Sequence, residues 1–128
     1  MKKLIIALGL AATLAAPAWA ANNDIWQYNK FMTIDMSTAK VKLEKGEKVL
    51  TFKTVEKFED STDECTYVYN VDAQTIQLKE MVSKSKKFKY TSNFYPESIK
   101  NGNAVIKGRA VMANAVLQKV EERQNHRH

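Results

Sequence analysis

The sequence contains little of what catalytic and disulfide-stabilised proteins need. Its 128 residues include 1 cysteine, 2 histidines, 4 glycines and 2 prolines. A single cysteine excludes a disulfide within the chain, and no Cys/His set has the spacing of a metal site. The few glycines form no loop that could cradle a phosphate. We therefore expect no metal, no other cofactor and no catalytic residue, and we expect that the protein is not an enzyme.

The first 20 residues have the pattern of a cleaved export signal. Lys2 and Lys3 precede an apolar run at 4–14, and Ala18-Trp19-Ala20 places small residues at the two positions that the signal peptidase recognises. The run is shorter than the ~20 apolar residues that span a bilayer, and no second apolar segment follows it. The sequence predicts a signal peptide at 1–20, no integral membrane segment after cleavage, and a periplasmic or secreted, cell-surface protein.

The mature chain is expected to be one exported domain, residues 21–124, with a disordered tail at 125–128. Its charge is uneven along the sequence. Residues 21–82 contain 8 basic and 11 acidic side chains, whereas residues 83–128 contain 10 basic and 3 acidic ones. Such asymmetry bears on partners and on a homodimer, which stays open, more than on the fold.

Apolar residues alternate with polar ones over most of the mature chain, which predicts strands. Lys45-Gly46 is a turn signal inside a hairpin, and Asp72-Ala73-Gln74 is another between two later strands. The predicted strands are Phe31–Met36, Lys40–Glu44, Val49–Phe58, Thr66–Val71, Thr75–Val82 and, less clearly, Phe88–Ser92.

Near Ala104 the period becomes helical. Apolar residues at spacings of three and four form one stripe, and Asn101-Gly102-Asn103 suits a helix cap. The stripe is Ile106, Ala110, Ala113, Leu117 and Val120. The polar stretch 121–128 is expected to fray. The order of elements predicts an α+β fold, an antiparallel meander of about five strands with one C-terminal helix packed on one face.

The lone Cys65 leaves three interpretations open. It shares a strand face with Tyr67, Tyr69 and Val71, so it can be a small apolar residue at the margin of the core. An odd cysteine in an exported protein also suggests an intermolecular disulfide across a dimer. A reactive thiol would need a nearby base, and the histidines lie in the predicted tail.

The stretch "KSKKFKY" is the candidate partner-binding site. Its lysines interleave with aromatic residues, a pattern that could hold an anionic polymer such as an acidic glycan, a lipid headgroup surface or extracellular DNA. The alternative is a solvated hairpin whose lysines protect a sheet edge from aggregation, with the aromatic residues in the core. The candidate residues are Lys84, Lys86, Lys87, Phe88, Lys89 and Tyr90.

One family resemblance accompanies these patterns. The segment "DIWQYNKFMTIDMSTAKVKLEKGEKVLTFKTVEKF", with Trp26, Ile34-Asp35 and Ser37, resembles the opening of the surface-adhesin protein E domains, and "YNVDAQTIQLKEMVS" is similar to their next strand pair. The resemblance implies an antiparallel sheet with a packed helix and binding to host matrix proteins, sometimes as dimers. The family's disulfide between strand and helix is absent, because Asp72 is followed by Ala73.

Two classes of function follow from the sequence. The first is a non-catalytic, adhesin-like binding domain of the cell envelope, which recognises a protein or a polyanionic partner. The second is a small periplasmic enzyme or ligand carrier, with a pocket between the sheet and the helix. The carboxylates, among them Glu44, Glu47 and Glu56, are expected on solvent-facing positions, which favours the binding domain.

Overall fold

The structure, a computed structural model, describes residues 24–126. The predicted signal peptide, residues 1–20, lies outside these residues, as do the last two positions of the predicted tail at 125–128. The described chain forms the strands β1 (Ile25–Gln27), β2 (Met32–Glu44), β3 (Glu47–Lys57), β4 (Ser61–Asn70), β5 (Thr75–Ser85), β6 (Lys89–Ser92) and β7 (Glu97–Ser98), and the helix α1 (Ala104–His126).

All the strands belong to one antiparallel sheet. They follow each other in chain order from β1 to β6, and β7 pairs with β5 beside β6. The predicted α+β meander with one C-terminal helix is confirmed, but the sheet has 7 strands instead of about five. The short β1 and β7 contain 3 and 2 residues, too few to produce an alternating pattern in the sequence.

The segments Phe31–Met36 and Lys40–Glu44, expected as separate strands, are parts of the single strand β2. The pairing between β2 and β3 shifts register between Asp35 and Lys40. Thr38 bridges the irregularity, because its Oγ1 donates to the Asp35 carbonyl at 2.6 Å and accepts from the Lys53 amide at 2.9 Å. Side-chain hydrogen bonds thus replace missing ladder bonds, and the strand continues through a bulge.

The tight turn between β2 and β3 is the one that the sequence predicted. Lys45 and Gly46 have φ angles of 53° and 82°, and Glu44 pairs with Glu47. Positive φ at both central residues is the requirement of a type I′ hairpin turn, whose twist matches that of the flanking strands.

The helix α1 begins where the cap was expected and buries the predicted stripe. Asn103 Oδ1 accepts a hydrogen bond from the Ile106 amide at 3.0 Å, which satisfies one of the free donors of the first turn. The stripe is buried from Ile106 to Leu117, and Val120 is partly buried. Met112 and Val116 widen the apolar face beyond the predicted stripe.

The helix does not end near Val120, since it continues to His126. Two of its late residues are ion-paired to the sheet. Glu121 lies 3.1 Å from Lys48 Nζ, and Arg123 lies 3.3 Å from Asp24. Up to residue 126 the fraying expected from residue 121 onward is therefore not observed, and these two exposed ion pairs join the last turns of the helix to β3 and to the residue before β1.

The sheet has one covered and one uncovered side, which we call the helix face and the open face. Leu50, Tyr69 and Ile76 pair across neighbouring strands on the helix face and are at most 2% exposed. Above them, the Tyr69 hydroxyl donates to Asn114 Oδ1 at 2.8 Å. On each strand, the residues directly before and after these point to the open face, because successive side chains of a strand point to opposite sides of the sheet.

The core forms between the helix face and α1. It contains Ile34, Met36, Leu50, Phe52, Cys65, Tyr67, Tyr69, Ile76, Leu78, Ile106, Met112, Ala113, Val116 and Leu117. Phe52 and Tyr67 stack with ring centroids 5.5 Å apart. Apolar side chains fill the space between the sheet and the helix. A polar binding site therefore has to lie outside this core, for example at the end of the sheet.

Candidate binding surface

Two neighbouring turns define one end of the sheet, which we call the turn end. The first turn joins β3 to β4, and the Phe58 amide donates to the Ser61 carbonyl at 2.8 Å. The second joins β5 to β6, and the Ser85 amide donates to the Phe88 carbonyl at 2.8 Å. Because Ser61 and Ser85 are cross-strand partners, the two turns lie side by side.

Lysines form a row across the open face at this end. The strand register aligns Lys57 with Thr62, Thr62 with Lys84, and Lys84 with Lys89. Lys86 and Lys87 occupy the tip of the adjacent turn and are exposed. We call these five residues the lysine surface: Lys57, Lys84, Lys86, Lys87 and Lys89. Lys57 is distant in sequence from the other four, so only the strand register brings it into the row.

The charges in this row are unequally compensated. Lys84 Nζ lies 2.9 Å from Glu64 Oε2, an exposed ion pair. Within residues 24–126, none of the ion pairs includes Lys57, Lys86, Lys87 or Lys89. Directly opposite like charges such as Lys84 and Lys89 destabilise a sheet slightly, and a bound anion relieves that cost.

Phe88 and Tyr90 lie on the other side of the sheet from the lysine row. Tyr90 pairs with Ser83 on the helix face, and Phe88 has the same orientation by alternation. Their rings stack with centroids 5.4 Å apart and are 47% and 51% exposed. The alternative that the sequence left open, in which they are core residues, does not hold, because α1 does not cover this end. Nor do they share one face with Lys84 and Lys89.

A groove of about 900 Å³ separates the two turns. Phe58, 49% exposed, and Phe88 contribute its aromatic side chains. Its edges differ in charge, since the first turn places acidic side chains there and the second places lysines. The lining residues are Phe58, Glu59, Asp60, Ser61, Thr62, Lys84, Ser85, Lys86, Lys87 and Phe88.

A polar row lies on the helix face next to this groove. Glu56 pairs with Asp63, and Asp63 pairs with Ser83, whose Oγ donates to Asp63 Oδ1 at 2.8 Å. Burial is the main cause that raises the pKa of Glu56; the charge of Asp63 adds to this effect and Arg109 opposes it. Glu56 therefore lies on the helix face and is only partly exposed, whereas the sequence predicted a solvent-facing position. It alternates in step with Leu50 and Phe52, which was the sequence signal for the helix face.

Cys65 lies deeper on the same face and is 4% exposed. Burial, followed by the charge of Asp63, raises the pKa of its thiol, so the thiolate that reacts or binds metal is scarce at neutral pH. This position favours the interpretation of Cys65 as a core residue. An intermolecular disulfide would require Cys65 to leave the core. Its cross-strand neighbour Thr54 is 1% exposed, and Thr54 Oγ1 has no hydrogen-bond partner among the described residues.

In the part of the chain from 24 to 126, no group of three or more Cys, His, Asp or Glu side chains is placed to hold a metal ion. No helix in that range is long and apolar enough to cross a membrane. Comparison of the chain with known protein families, with curated proteins and with solved structures finds no significant match. The resemblance to the surface-adhesin protein E domains stays a prediction.

Proposed function

We propose that the mature chain is an exported, non-catalytic binding domain of the bacterial cell envelope, which recognises an anionic polymer through the lysine surface. The observation that carries this proposal is the row of Lys57, Lys84 and Lys89 across three strands of the open face. The sequence left open whether an adhesin-like domain would recognise a protein or a polyanionic partner. The lysine surface favours the polyanion. Periplasmic or cell-surface location is part of the proposal.

The geometry of the row suits a repeating ligand. Neighbouring strands lie about 4.8 Å apart, so the row offers cations at intervals of about 5 and 10 Å on the open face. Lysines neutralise phosphate, sulfate or carboxylate groups along a polymer, and the release of counterions supplies the free energy. Phe88 and Tyr90 are not needed for this contact, because they lie on the opposite side of the sheet.

Protection of a sheet edge explains part of the pattern but not all of it. The edge strand β6 is 4 residues long, and Lys89 within it discourages pairing with another chain. Lys57 belongs to β3, which is flanked by β2 and β4 and has no free edge. Edge protection therefore does not explain why Lys57 completes the row.

Heparin affinity chromatography tests the proposal with a matched control. Replacement of all five lysines of the lysine surface by Gln is expected to move elution to markedly lower salt. The control replaces five other exposed lysines by Gln, which removes the same total charge from elsewhere: Lys40, Lys42, Lys79, Lys100 and Lys107. Equal shifts for the two variants would show that net charge alone holds heparin, and the proposed surface would be rejected.

A small-ligand carrier or enzyme is the second candidate, supported by the adjacent carboxylates Glu56 and Asp63 on the helix face. Carboxylate pairs of this kind perform acid and base chemistry where a substrate can reach both of them. The site differs from the pocket expected between sheet and helix, which apolar side chains fill. Binding of a small molecule that is lost in Glu56→Gln, with heparin retention unchanged, would favour this candidate.

A further inference from the structure

The two turns that border the groove carry opposite charges. Glu59 and Asp60 form the tip of the turn between β3 and β4, and Lys86 and Lys87 form the tip of the turn between β5 and β6. All four side chains are exposed. The inner strands of the two hairpins pair through Ser61 and Ser85, so the two tips lie on neighbouring hairpins that border the same groove. In residues 24–126, no ion pair includes any of the four.

Exposed aromatic side chains accompany these charges. Phe58 and Phe88, 49% and 47% exposed, both line the groove, and Tyr90 stacks on Phe88. Rings half exposed at the end of a sheet are apolar surface that association would remove from water. The turn end therefore combines two half-exposed phenylalanines, one beside each turn, with an acidic tip on one side and a basic tip on the other.

We propose that a second copy of this chain docks at the turn end to form a two-fold symmetric dimer. In such a dimer the same patch meets itself after a half turn, so each residue pair occurs twice. The rotation places Glu59 and Asp60 of one copy against Lys86 and Lys87 of the other, and repeats that contact on the far side of the axis. Phe58 of one copy then faces Phe88 of the other.

Charge complementarity selects a second copy over other occupants. A uniformly anionic polymer or membrane would be attracted by one tip and repelled by the other. A patch that is its own complement needs no other partner to satisfy both tips. The groove is lined by 10 residues, fewer than the ~20–30 that each side of a standard interface contributes, so we expect a weak, salt-sensitive dimer. The dimer and the polymer-binding function share Lys86 and Lys87, for which a polymer and a second copy would compete. Lys57, Lys84 and Lys89 on the open face lie outside the proposed dimer contact, so either proposal can fail without the other.

Charge reversal with mixing tests the dimer by sedimentation equilibrium of the mature chain at low salt. Glu59→Lys with Asp60→Lys makes both tips basic, and Lys86→Glu with Lys87→Glu makes both acidic. Each variant alone is expected to dissociate about tenfold or more readily than the parent, since like charges then meet twice. An equimolar mixture is expected to recover dimer, because a basic copy and an acidic copy restore every contact.

The control reverses two exposed lysines at the opposite end of the sheet, Lys40→Glu with Lys42→Glu, and should leave the dimer unchanged. Circular dichroism on each variant verifies the fold before sedimentation. A parent that stays monomeric up to about 1 mM, the dissociation constant of a very weak complex, overturns the proposal. So does a mixture that stays as dissociated as its components, whatever heparin binding shows.

Discussion

The salt dependence of binding to a single-stranded DNA 20-mer separates the individual lysines of the lysine surface. Lys84 is already paired with Glu64 at 2.9 Å, so it should release few counterions when a polymer binds. The other four lysines should each contribute about 0.7 to the slope of log K against log salt, which gives a slope of about −2.8. Raising the salt from about 50 to about 200 mM should then weaken binding about fiftyfold.

Fluorescence anisotropy of the labelled oligonucleotide measures this slope for the parent and for single variants. Lys89→Gln and Lys57→Gln should each make the slope shallower by about 0.7, whereas Lys84→Gln should change it little. Lys40→Gln, which changes an exposed lysine of β2 away from the turn end, is the control and should leave the slope unchanged. A parent slope shallower than about −1, or a control equal to Lys89→Gln, would refute the reasoning.

Three further predictions concern the scaffold, each measured by urea unfolding. Gly108→Ala should stabilise the protein by about 1 kcal/mol, because this helix position has nothing within 4 Å of an added Cβ. Gly102→Ala should destabilise it by about 1–3 kcal/mol, because the Cβ would lie 2.6 Å from a side-chain carbon and 2.8 Å from a backbone oxygen. Stability changes of the same sign in the two glycine variants would contradict the packing described for these positions. Asn114→Ala should cost about 1–2 kcal/mol and Tyr69→Phe about 1 kcal/mol, since the buried hydroxyl loses its partner in the first case and is removed in the second. Fully additive effects in the double variant would show that the two residues are not coupled. Finally, the pKa of Glu56 is raised by burial above its ordinary value of 4.5, so the folded carboxyl holds its proton more tightly than the unfolded one. The stability that Glu56 contributes is therefore fully present below pH 4.5 and is lost as pH rises through the folded pKa. Glu56→Gln should remove this loss of stability. A stability profile between about pH 3 and 8 that is the same in the parent and the variant would contradict the prediction.

Local patterns predicted the elements that are long and regular. The alternation around Leu50 and Phe52, the turn at Lys45-Gly46 and the helical stripe from Ile106 are periodic over enough residues to distinguish strand from helix. The join of the two predicted segments of β2 was missed because a bulge changes the parity of a strand, and its hydrogen bonds come from side chains such as Thr38.

The alternation of residues along a strand predicts which face of the sheet each residue of the candidate surface occupies. Phe88 and Tyr90 alternate with Lys89, so one strand must place them on opposite faces. Glu56 has the parity of Leu50 and lies on the helix face for the same reason. Neither pattern indicates where the helix stops covering the sheet, so the sequence left open whether the aromatic residues belong to the core.

The amino-acid sequence by itself determined the period of each segment, the turns, the helix cap and therefore the α+β meander, because these depend on residues within a few positions of each other. Only the tertiary structure decided which distant residues meet. The register that aligns Lys57 with Lys84 and the side-by-side placement of Asp60 and Lys86 come from cross-strand hydrogen bonding. That pairing is non-local, and the strand period is the same whichever register it adopts.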